Sequence, residues 1–299
     1  MTDIRTIGVF APASYVEAGD IDKGRRVLEA MGYHVIIHDQ AYDRLGRTQL
    51  AGPPANRAQA LHDLLQDMSI DAIMAAGGGN DTAEMLDHID FDLAGQHPKP
   101  VIGFSDVTAL LCALFNHAGI KGVHAPVLKL LGGKQNTQEN REALTYVLNG
   151  HSTSYPLDDA EPVISGTAQG QLIGGNICLI DALYGTPYLP DLNGKILLIE
   201  DCAFELNYFN RQLTSWRQRG MFDQIHGLVI GDFSDTKDSG RPLGFDVDEI
   251  IERHMADMDI PVVRGAPFGH DTRNIAWPFG GHARLEAGRE QCTMTFTPL

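Results

Sequence analysis

Ser105 stands in a turn whose residue types suit nucleophilic chemistry. Residues 101–107 have the sequence VIGFSDV, in which an apolar run breaks at Gly103 and the serine precedes an apolar helical segment. A small residue two positions before the serine permits a sharp strand-to-helix turn, which exposes the hydroxyl and directs the next backbone N–H into the same space. This geometry serves acyl transfer. The alternative is that Ser105 only caps the helix predicted at 107–118, and the motif by itself favours the cap.

A serine nucleophile needs a base and an acid that orients the base, and the second half of the chain offers candidates for both. The apolar run KILLIED ends in Glu200 and Asp201, which places carboxylates where a strand leaves the sheet, and strand parity does not choose between them. His270 follows in the loop GAPFGHD, where Pro267 stiffens the approach to an exposed imidazole. His124, in VHAP after the fifth strand, is its strongest rival. For any single histidine, a hydrogen-bonded structural role is the more frequent one.

A glycine loop, formed by Gly77, Gly78 and Gly79, separates the third strand from a helix predicted to begin near residue 82. Glycine frees backbone N–H groups, and at a helix N-terminus such groups form a site for anions. One hypothesis is nucleotide-dependent phosphotransfer, because GGGNDT loosely resembles the GGDGT loop of diacylglycerol and NAD kinases. A second is that the loop donates one oxyanion-hole N–H opposite the serine. A third, favoured by spacing alone, is a tight turn in which Asn80 or Asp81 caps the helix.

The composition excludes several classes of partner. The chain has 299 residues, 43% of them hydrophobic, which is enough for a sizeable core and predicts two domains. Its 23 Lys and Arg residues against 39 Asp and Glu residues give a formal charge of −16, which repels nucleic acid and anionic lipid. The opening residues pass directly into a strand without a charged-then-apolar leader, and no apolar run approaches the roughly 20 residues of a membrane span. We therefore expect a cytoplasmic protein that binds neither nucleic acid nor membrane.

The four cysteines do not form a recognisable framework. Cys112, Cys178, Cys202 and Cys292 lack CxxC spacing, and three of them lie in apolar runs. This pattern indicates buried thiols rather than disulfide bridges or zinc ligands, so that no metal site is predicted.

The first half of the chain alternates between two periodicities. Apolar runs at 6–11, 34–38, 72–76 and 101–104 are each followed by a segment of helical period, at 21–31, 56–68, 82–88 and 107–118. Such alternation predicts βαβ units, and hence an α/β domain with a parallel sheet of the Rossmann or flavodoxin type. Ligands of such sheets bind where strands end and helices begin, and Ser105 lies at one of these ends.

The second half has a different organisation. Residues 151–167 are polar, include two prolines and lack strong periodicity, which predicts a linker after an N-terminal domain at 1–150. Short strand-like runs then dominate, at 168–173, 195–199, 228–230 and 292–296, with helices near 207–219 and 247–258. The expected C-terminal domain, 168–299, is a smaller, mixed α+β unit that resembles a barrel.

Eight segments, taken in order, are similar to the LD-carboxypeptidase family of serine peptidases, which also includes the microcin C immunity peptidases. They are VFAPAS in the first strand, the glycine loop, GFSD at 103–106, HAP at 124–126, GQLIGGN at 170–176, GTPYLPDLNGKILLIED at 185–201, YFNRQL at 208–213 and PFGHD at 267–271. The resemblance covers nearly the whole chain, and eight motifs in the same order make it specific.

The resemblance implies a Ser–His–Glu triad. Ser105 matches the nucleophile of the family's GxSD turn, His270 the base of its PFGH loop and Glu200 the orienting acid that closes its LxxED strand. It further implies an oxyanion hole made by the backbone N–H groups of Asp106 and Gly79. No metal or other cofactor is needed for this chemistry.

The resemblance also implies the class of substrate. LD-carboxypeptidases remove the terminal D-alanine from murein tetrapeptides, and the immunity peptidases cut an amide that joins a modified aspartate to a nucleotide. Gly78, Asn80, His124 and Asn176 are the candidates for substrate binding. A homodimer is expected from the family, and a kinase built on the glycine loop is the remote alternative.

The chain departs from the family at the glycine loop. Murein-specific members have RGGYG where this chain has GGGND at 77–81, so that the arginine and the tyrosine are missing. A guanidinium there would grip a substrate carboxylate in bidentate fashion or brace the loop. Its loss predicts binding of an anionic tetrapeptide weaker by about ten- to a hundredfold, unless another cation compensates.

Overall fold

The structure is a computed structural model that describes residues 4–151, 153–157, 159–238 and 240–297. In the first half, strands and helices alternate. The strands are β1 (Thr6–Phe10), β2 (His34–Ile37), β3 (Ala72–Ala75), β4 (Val101–Gly103) and β5 (Gly122–His124). The α-helices are α1 (Ala18–Ala30), α2 (Pro54–Gln66), α3 (Phe91–Gln96), α4 (Thr108–Ala118), α5 (Leu128–Leu131) and α6 (Gln138–Leu148), with 3-10 helices at Asp39–Tyr42, Thr82–His88 and Ser105–Val107.

Strands dominate the second half. They are β6 (Thr153–Pro156), β7 (Glu161–Ile164), β8 (Gly166–Asn176), β9 (Ile196–Cys202), β10 (Gly227–Ser234), β11 (Val262–Arg264), β12 (Trp277–Phe279), β13 (His282–Ala287) and β14 (Cys292–Phe296). The helices are α7 (Ile177–Leu183), α8 (Leu206–Gln218), α9 (Met221–Gln224) and α10 (Val247–Met255).

The first sheet confirms the predicted α/β class. Its strand order is β2-β1-β3-β4-β5-β12, and β1 to β5 are all parallel. β3, β4 and β5 are wholly buried, as expected for parallel strands that helices cover on both faces. β12 comes from the second half of the chain and pairs antiparallel with β5.

The second sheet confirms the predicted mixed, barrel-like unit. Its order is β6-β14-β13-β8-β9-β10-β11-β7, and it is nearly closed. β8 to β11 run parallel to one another, whereas the remaining pairs are antiparallel. The carboxyl ends of β8 and β9 lie side by side, with Asn176 opposite Glu200.

The segment predicted as a linker, residues 151–167, differs from the expectation. It contributes β6 and β7, which pair with β14 and β11 and form the two edges of the second sheet. Edge strands tolerate prolines and charged residues, because one side of the strand makes no ladder hydrogen bonds, and such strands lack a strong apolar pattern. The domain limits at 150 and 168 stay a prediction, since β12 returns from the second half to the first sheet.

Smaller features follow from local sequence. The helix predicted at 82–88 is present with those bounds, as a 3-10 helix. All four cysteines are free; Cys112 and Cys292 are buried, whereas Cys178 and Cys202 are half-buried. Within the described residues, no helix is both long enough and apolar enough to cross a membrane.

Candidate active site

Ser105 occupies the strained turn that the sequence predicts. Its backbone φ is 60°, a left-handed conformation that costs a residue with a Cβ about 1–3 kcal/mol and is often found at functional sites. A Cβ on Gly103 would lie 2.8 Å from Val107 Cγ1, so that only glycine permits this approach. Phe104 and Val107, the N-cap residues of the 3-10 helix at Ser105 and of α4, make no side-chain capping bond, and the Ser105 hydroxyl bonds to a histidine instead. The serine is therefore not a helix cap.

His270 connects the serine to a buried carboxylate. Its Nε2 lies 2.9 Å from Ser105 Oγ, and its Nδ1 lies 2.6 Å from Glu200 Oε2. The Glu200 side chain, in β9, is fully buried, and its other oxygen has no hydrogen-bond partner among the described residues. The hydroxyl of Ser105, the imidazole of His270 and the carboxylate of Glu200 thus form one continuous line of hydrogen bonds.

Asp201, the alternative carboxylate, belongs to another set of contacts. Its side chain accepts hydrogen bonds from Asn176 Nδ2 at 2.8 Å and from Cys178 Sγ at 2.7 Å. Successive side chains of a strand point to opposite faces, so that only one of the two acids can reach His270. Tertiary structure therefore makes the choice that strand parity left open.

Burial and hydrogen bonding shift the pKa values of Glu200 and His270. Burial raises the pKa of Glu200, although its hydrogen bond to His270 and the charge of that ring act in the opposite direction. Burial lowers the pKa of His270, but hydrogen bonds to Cys202 and Glu200 raise it by more, to about 10. The imidazole therefore holds a proton at pH values where an isolated imidazole is neutral.

The side chain of Asp106 attaches the glycine loop to the turn that holds Ser105, a role that sequence reasoning missed. Its Oδ2 accepts hydrogen bonds from the backbone N–H of Asp81 (3.0 Å), the backbone N–H of Thr82 (2.8 Å) and Thr82 Oγ1 (2.6 Å). The residue is 1% exposed. It caps the 3-10 helix Thr82–His88, whereas the side chain of Asp81 makes no capping bond. The sequence feature that could have indicated this role is the aspartate that directly follows the serine in GFSD.

The glycine loop lies beside the serine. A Cβ on Gly78 would lie 3.5 Å from Ser105 Oγ and 3.9 Å from the backbone nitrogen of Asp106. A Cβ on Gly79 would instead lie 2.4 Å from Ser14 Oγ, so that this residue packs against the loop after β1. Asn80 is exposed.

A buried arginine braces the same loop from α2. Arg57 is 0% exposed, and its Nη1 donates to the carbonyl oxygens of Pro12 (2.7 Å) and Asp81 (2.9 Å). Its Nη2 donates to Glu84 at 3.0 Å. A guanidinium from another part of the chain therefore links the last residue of the loop to the segment that follows β1.

A cavity of about 280 Å³ opens in front of the serine. Its lining includes Ser105, His270 and Gly78, together with Tyr15 and Lys129. A larger cavity of about 830 Å³ lies beside α6 and contains none of the groups described above. The smaller cavity is therefore the candidate substrate site.

Two predicted substrate-binding residues do not reach this cavity. His124 is 0% exposed, stacks on Trp277 with ring centroids 4.8 Å apart, and burial lowers its pKa to about 3. Asn176 is 5% exposed, and its side chain caps α7 and donates to Asp201. Both side chains are used inside the protein, which corrects the expectation that they contact substrate. Asn80 also lies outside the lining of the cavity.

A buried amide network holds the His270 loop, and nothing in its local sequence pattern indicated it. Gln135 Nε2 donates to the carbonyl oxygens of Gly269 (2.9 Å) and Asp271 (2.7 Å), which flank His270. Asn274 Oδ1 accepts from the N–H of Gly269 at 3.2 Å, and its Nδ2 donates to Gln135 Oε1 at 3.3 Å. Gln135 and Asn274 are both 0% exposed. The loop is thus clamped by residues from both halves of the chain.

The fold and the site together define a class of protein. A serine at a strand-to-helix turn of a parallel sheet meets a histidine and a glutamate supplied by a second, barrel-like sheet. Such a hydroxyl, imidazole and carboxylate arrangement is that of serine hydrolases, whatever their fold.

Comparison with known proteins identifies the family. A model of the LD-carboxypeptidase N-terminal domain matches residues 7–125, and a model of the LD-carboxypeptidase C-terminal domain matches residues 169–285. The chain belongs to the LD-carboxypeptidase family of serine peptidases and is a hydrolase of the carboxypeptidase type. This assignment confirms the resemblance of the eight segments and replaces the kinase hypothesis for the glycine loop.

Three similar proteins illustrate the family. The murein tetrapeptide carboxypeptidase of Pseudomonas aeruginosa is 30% identical over 298 residues, which are 95% of this chain and 94% of that protein. The crystal structure of muramoyltetrapeptide carboxypeptidase from Oxalobacter formigenes has a TM-score of 0.89 at 25% identity and covers 98% of this chain and 100% of that one. A structure of the microcin C7 self-immunity protein with aspartyl sulfamoyl adenosine has a TM-score of 0.89 at 20% identity, and covers 100% of this chain and 97% of that one. The last similarity concerns the fold alone.

Proposed function

We propose that this chain is an LD-carboxypeptidase-type serine amidase in which Ser105 is the nucleophile, His270 the base and Glu200 the acid that orients the base. The unbroken line of hydrogen bonds, 2.9 Å from serine to histidine and 2.6 Å from histidine to glutamate, is the observation that carries the proposal. These distances are those needed to activate a serine hydroxyl.

The reaction proceeds in two halves. His270 Nε2 accepts the proton of Ser105 Oγ as that oxygen bonds to the amide carbon, and the carbonyl electron pair moves onto oxygen. The imidazolium then gives the proton to the leaving amine as the C–N bond breaks, which leaves an acyl ester on Ser105. Water attacks the ester, and its proton returns through His270 to the serine oxygen. Glu200 stabilises the imidazolium and holds the ring in place.

The oxyanion in this mechanism is held by the backbone N–H of Asp106 and by one from the glycine loop, for which the resemblance implies Gly79. The N–H after the nucleophile is directed into the space that the substrate carbonyl enters. The proximity of Gly78 to both the serine oxygen and the Asp106 nitrogen supports a second donor from the glycine loop. Removing one such donor typically slows catalysis by about 10²–10³.

The preferred substrate in this proposal is a murein tetrapeptide from which the terminal D-alanine is released. The similarity to the Pseudomonas aeruginosa murein tetrapeptide carboxypeptidase supports this substrate. The alternative is an amide of the microcin type, which the sequence similarity to the microcin C7 self-immunity protein of Escherichia coli, 24% identical over 328 residues, supports. We also expect a cytoplasmic homodimer, as the resemblance implies, and light scattering after gel filtration checks the dimer.

Two measurements test the proposal. A serine-reactive fluorophosphonate followed by peptide mapping should label Ser105. Release of D-alanine from L-Ala-γ-D-Glu-meso-diaminopimelate-D-Ala should occur in excess EDTA and without nucleotide, because no step requires a metal ion or ATP. Cleavage of an aspartyl sulfamoyl adenosine amide without cleavage of the tetrapeptide would favour the alternative substrate. Activity that only zinc restores would overturn the mechanism.

The raised pKa of His270 predicts an unusual pH dependence. Only the neutral imidazole accepts the serine proton, so that kcat/KM falls as the pH drops through the pKa of His270. Because this pKa is raised from 6.5, the acid limb of kcat/KM should lie above pH 6.5. The pH profile of the fluorophosphonate labelling rate should show the same limb. A limb at or below 6.5 would contradict the described pairing with buried Glu200.

Gln135 should act on catalysis through the position of His270. In Gln135→Met, the carbonyls of Gly269 and Asp271 lose their donors, the loop shifts, and kcat falls by about ten- to a hundredfold with little change in KM. Gln138→Met is the matched control, because that glutamine is exposed and bonds only to Glu142 among the described residues. Steady-state kinetics and melting temperatures are measured for both variants. A lower melting temperature with unchanged kcat in Gln135→Met would show a purely structural role.

A further inference from the structure

The catalytic cavity has a single strongly basic side chain in its wall. Among the described residues that line it, Lys129 is the only lysine or arginine, and none carries a carboxylate. Arg44 contributes positive charge nearby, because its guanidinium carbon lies 3.9 Å from the ring centroid of Tyr15, another lining residue. In a chain with a formal charge of −16, a cavity lined in this way is a local site for an anion.

The backbone of Lys129 is fixed next to the glycine loop. Its N–H donates to the carbonyl oxygen of Ala76 at 2.9 Å, and Ala76 directly precedes Gly77 and Gly78. Gly78 in turn lies against Ser105 Oγ. The backbone of Lys129 is therefore close to Ser105. Its flexible four-carbon side chain can bring the ammonium group to a ligand bound there.

The ammonium group of Lys129 is available. The side chain is exposed, and none of the described carboxylates lies within 4.0 Å of it in an ion pair. Asp20 of α1 is within reach of its charge, but this carboxylate is already bonded to Lys23 at 2.9 Å. A substrate anion would therefore meet a cation that forms no ion pair with a described carboxylate.

Two cations lie near the glycine loop in different surroundings. The guanidinium of Arg57 braces the loop through Pro12, Asp81 and Glu84 and is itself 0% exposed. Its burial keeps this guanidinium out of contact with a substrate. A charge-assisted contact with a substrate carboxylate needs an accessible cation in the cavity wall, which is Lys129.

We propose that Lys129 binds the free carboxylate of the residue that leaves, and that this contact sets the preference of the site for a terminal acid over a terminal amide. In such a substrate only the α-carbon of the leaving residue separates the carboxylate from the scissile nitrogen, so that the carboxylate stays beside the cavity wall that Lys129 lines, within the reach of a lysine side chain. The inference rests on the proposed hydrolysis at Ser105, and it names a residue that determines specificity at that site.

Binding to the inactive Ser105→Ala protein tests the inference without turnover. The probes are L-Ala-γ-D-Glu-meso-diaminopimelate-D-Ala and the same peptide ending in D-alaninamide, measured by calorimetry. Ser105→Ala should bind the acid more tightly than the amide. In the Ser105→Ala protein, a second substitution, Lys129→Met, should weaken binding of the acid by about ten- to a hundredfold and binding of the amide by less than about threefold. Adding Lys129→Arg should retain most of the preference for the acid.

Lys134→Met is the matched control, because this lysine is exposed, lies five residues along and does not line the cavity. It should change neither affinity. An unchanged preference for the acid in Lys129→Met, an equal loss for both peptides, or no measurable binding of either would overturn the inference. Failure of the proposed function is a different result, namely no D-alanine release by the unmodified protein and no fluorophosphonate on Ser105.

Discussion

Ser105→Ala and His270→Ala each lower kcat for amide hydrolysis by about 10⁶, and Glu200→Gln lowers it by about 10⁴. These are the largest effects that we expect, because each change breaks the one line of hydrogen bonds that joins hydroxyl, imidazole and buried carboxylate. The members act as a unit, so that a double variant should be hardly slower than Ser105→Ala. Kinetics of D-alanine release, with circular dichroism to check folding, provide the measurement.

Asp201→Asn is the control for the choice of carboxylate. Asp201 bonds to Asn176 and Cys178 and does not contact His270, so that its amide variant should retain most of the activity. Near-full activity in Glu200→Gln together with loss in Asp201→Asn would show that the neighbouring acid orients the histidine. Additive losses in the double variants would contradict a cooperative triad.

Asp106→Ala should have the second-largest effect, a loss of about 10²–10³ in kcat/KM, which is the typical cost of losing an oxyanion-hole donor. The variant keeps the backbone N–H of residue 106 but removes the acceptor of three hydrogen bonds from Asp81 and Thr82. These donors are then buried without partners, which costs about 1–3 kcal/mol for each group and allows the glycine loop to move away from the serine. Kinetics and thermal melting measure the two consequences.

Asp106→Asn is its matched control. The asparagine oxygen can replace Oδ2 and keep the three bonds, while the amide nitrogen takes the place of Oδ1, which has no partner among the described residues. We therefore expect a loss of less than about tenfold in kcat/KM, because the hydrogen-bonded attachment of the loop is retained. Full activity in Asp106→Ala would show that the loop keeps its place without this attachment.

Local pattern determines much of this fold. The alternation of apolar runs with helical segments predicts the parallel first sheet, because strands buried on both faces must be apolar throughout. The segment 151–167 shows where such patterns fail. β6 and β7 lie at the edges of the second sheet, where prolines and charges are tolerated, so that composition indicates a linker although the chain is paired.

The sequence by itself determined the family, the sharp turn that holds Ser105 and the candidate acids and bases, because these depend on short motifs whose residues are neighbours along the chain. Only the tertiary structure decided which candidates meet. His270 is 165 residues from Ser105 and 70 from Glu200, and their contact results from the packing of two sheets. Tertiary contacts also keep His124 and Asn176 out of the cavity, and contacts within the first half of the chain let Arg57 brace the glycine loop and place Lys129 in the cavity wall. Contacts between residues that are distant in the chain depend on how the elements pack, and no local spacing encodes that.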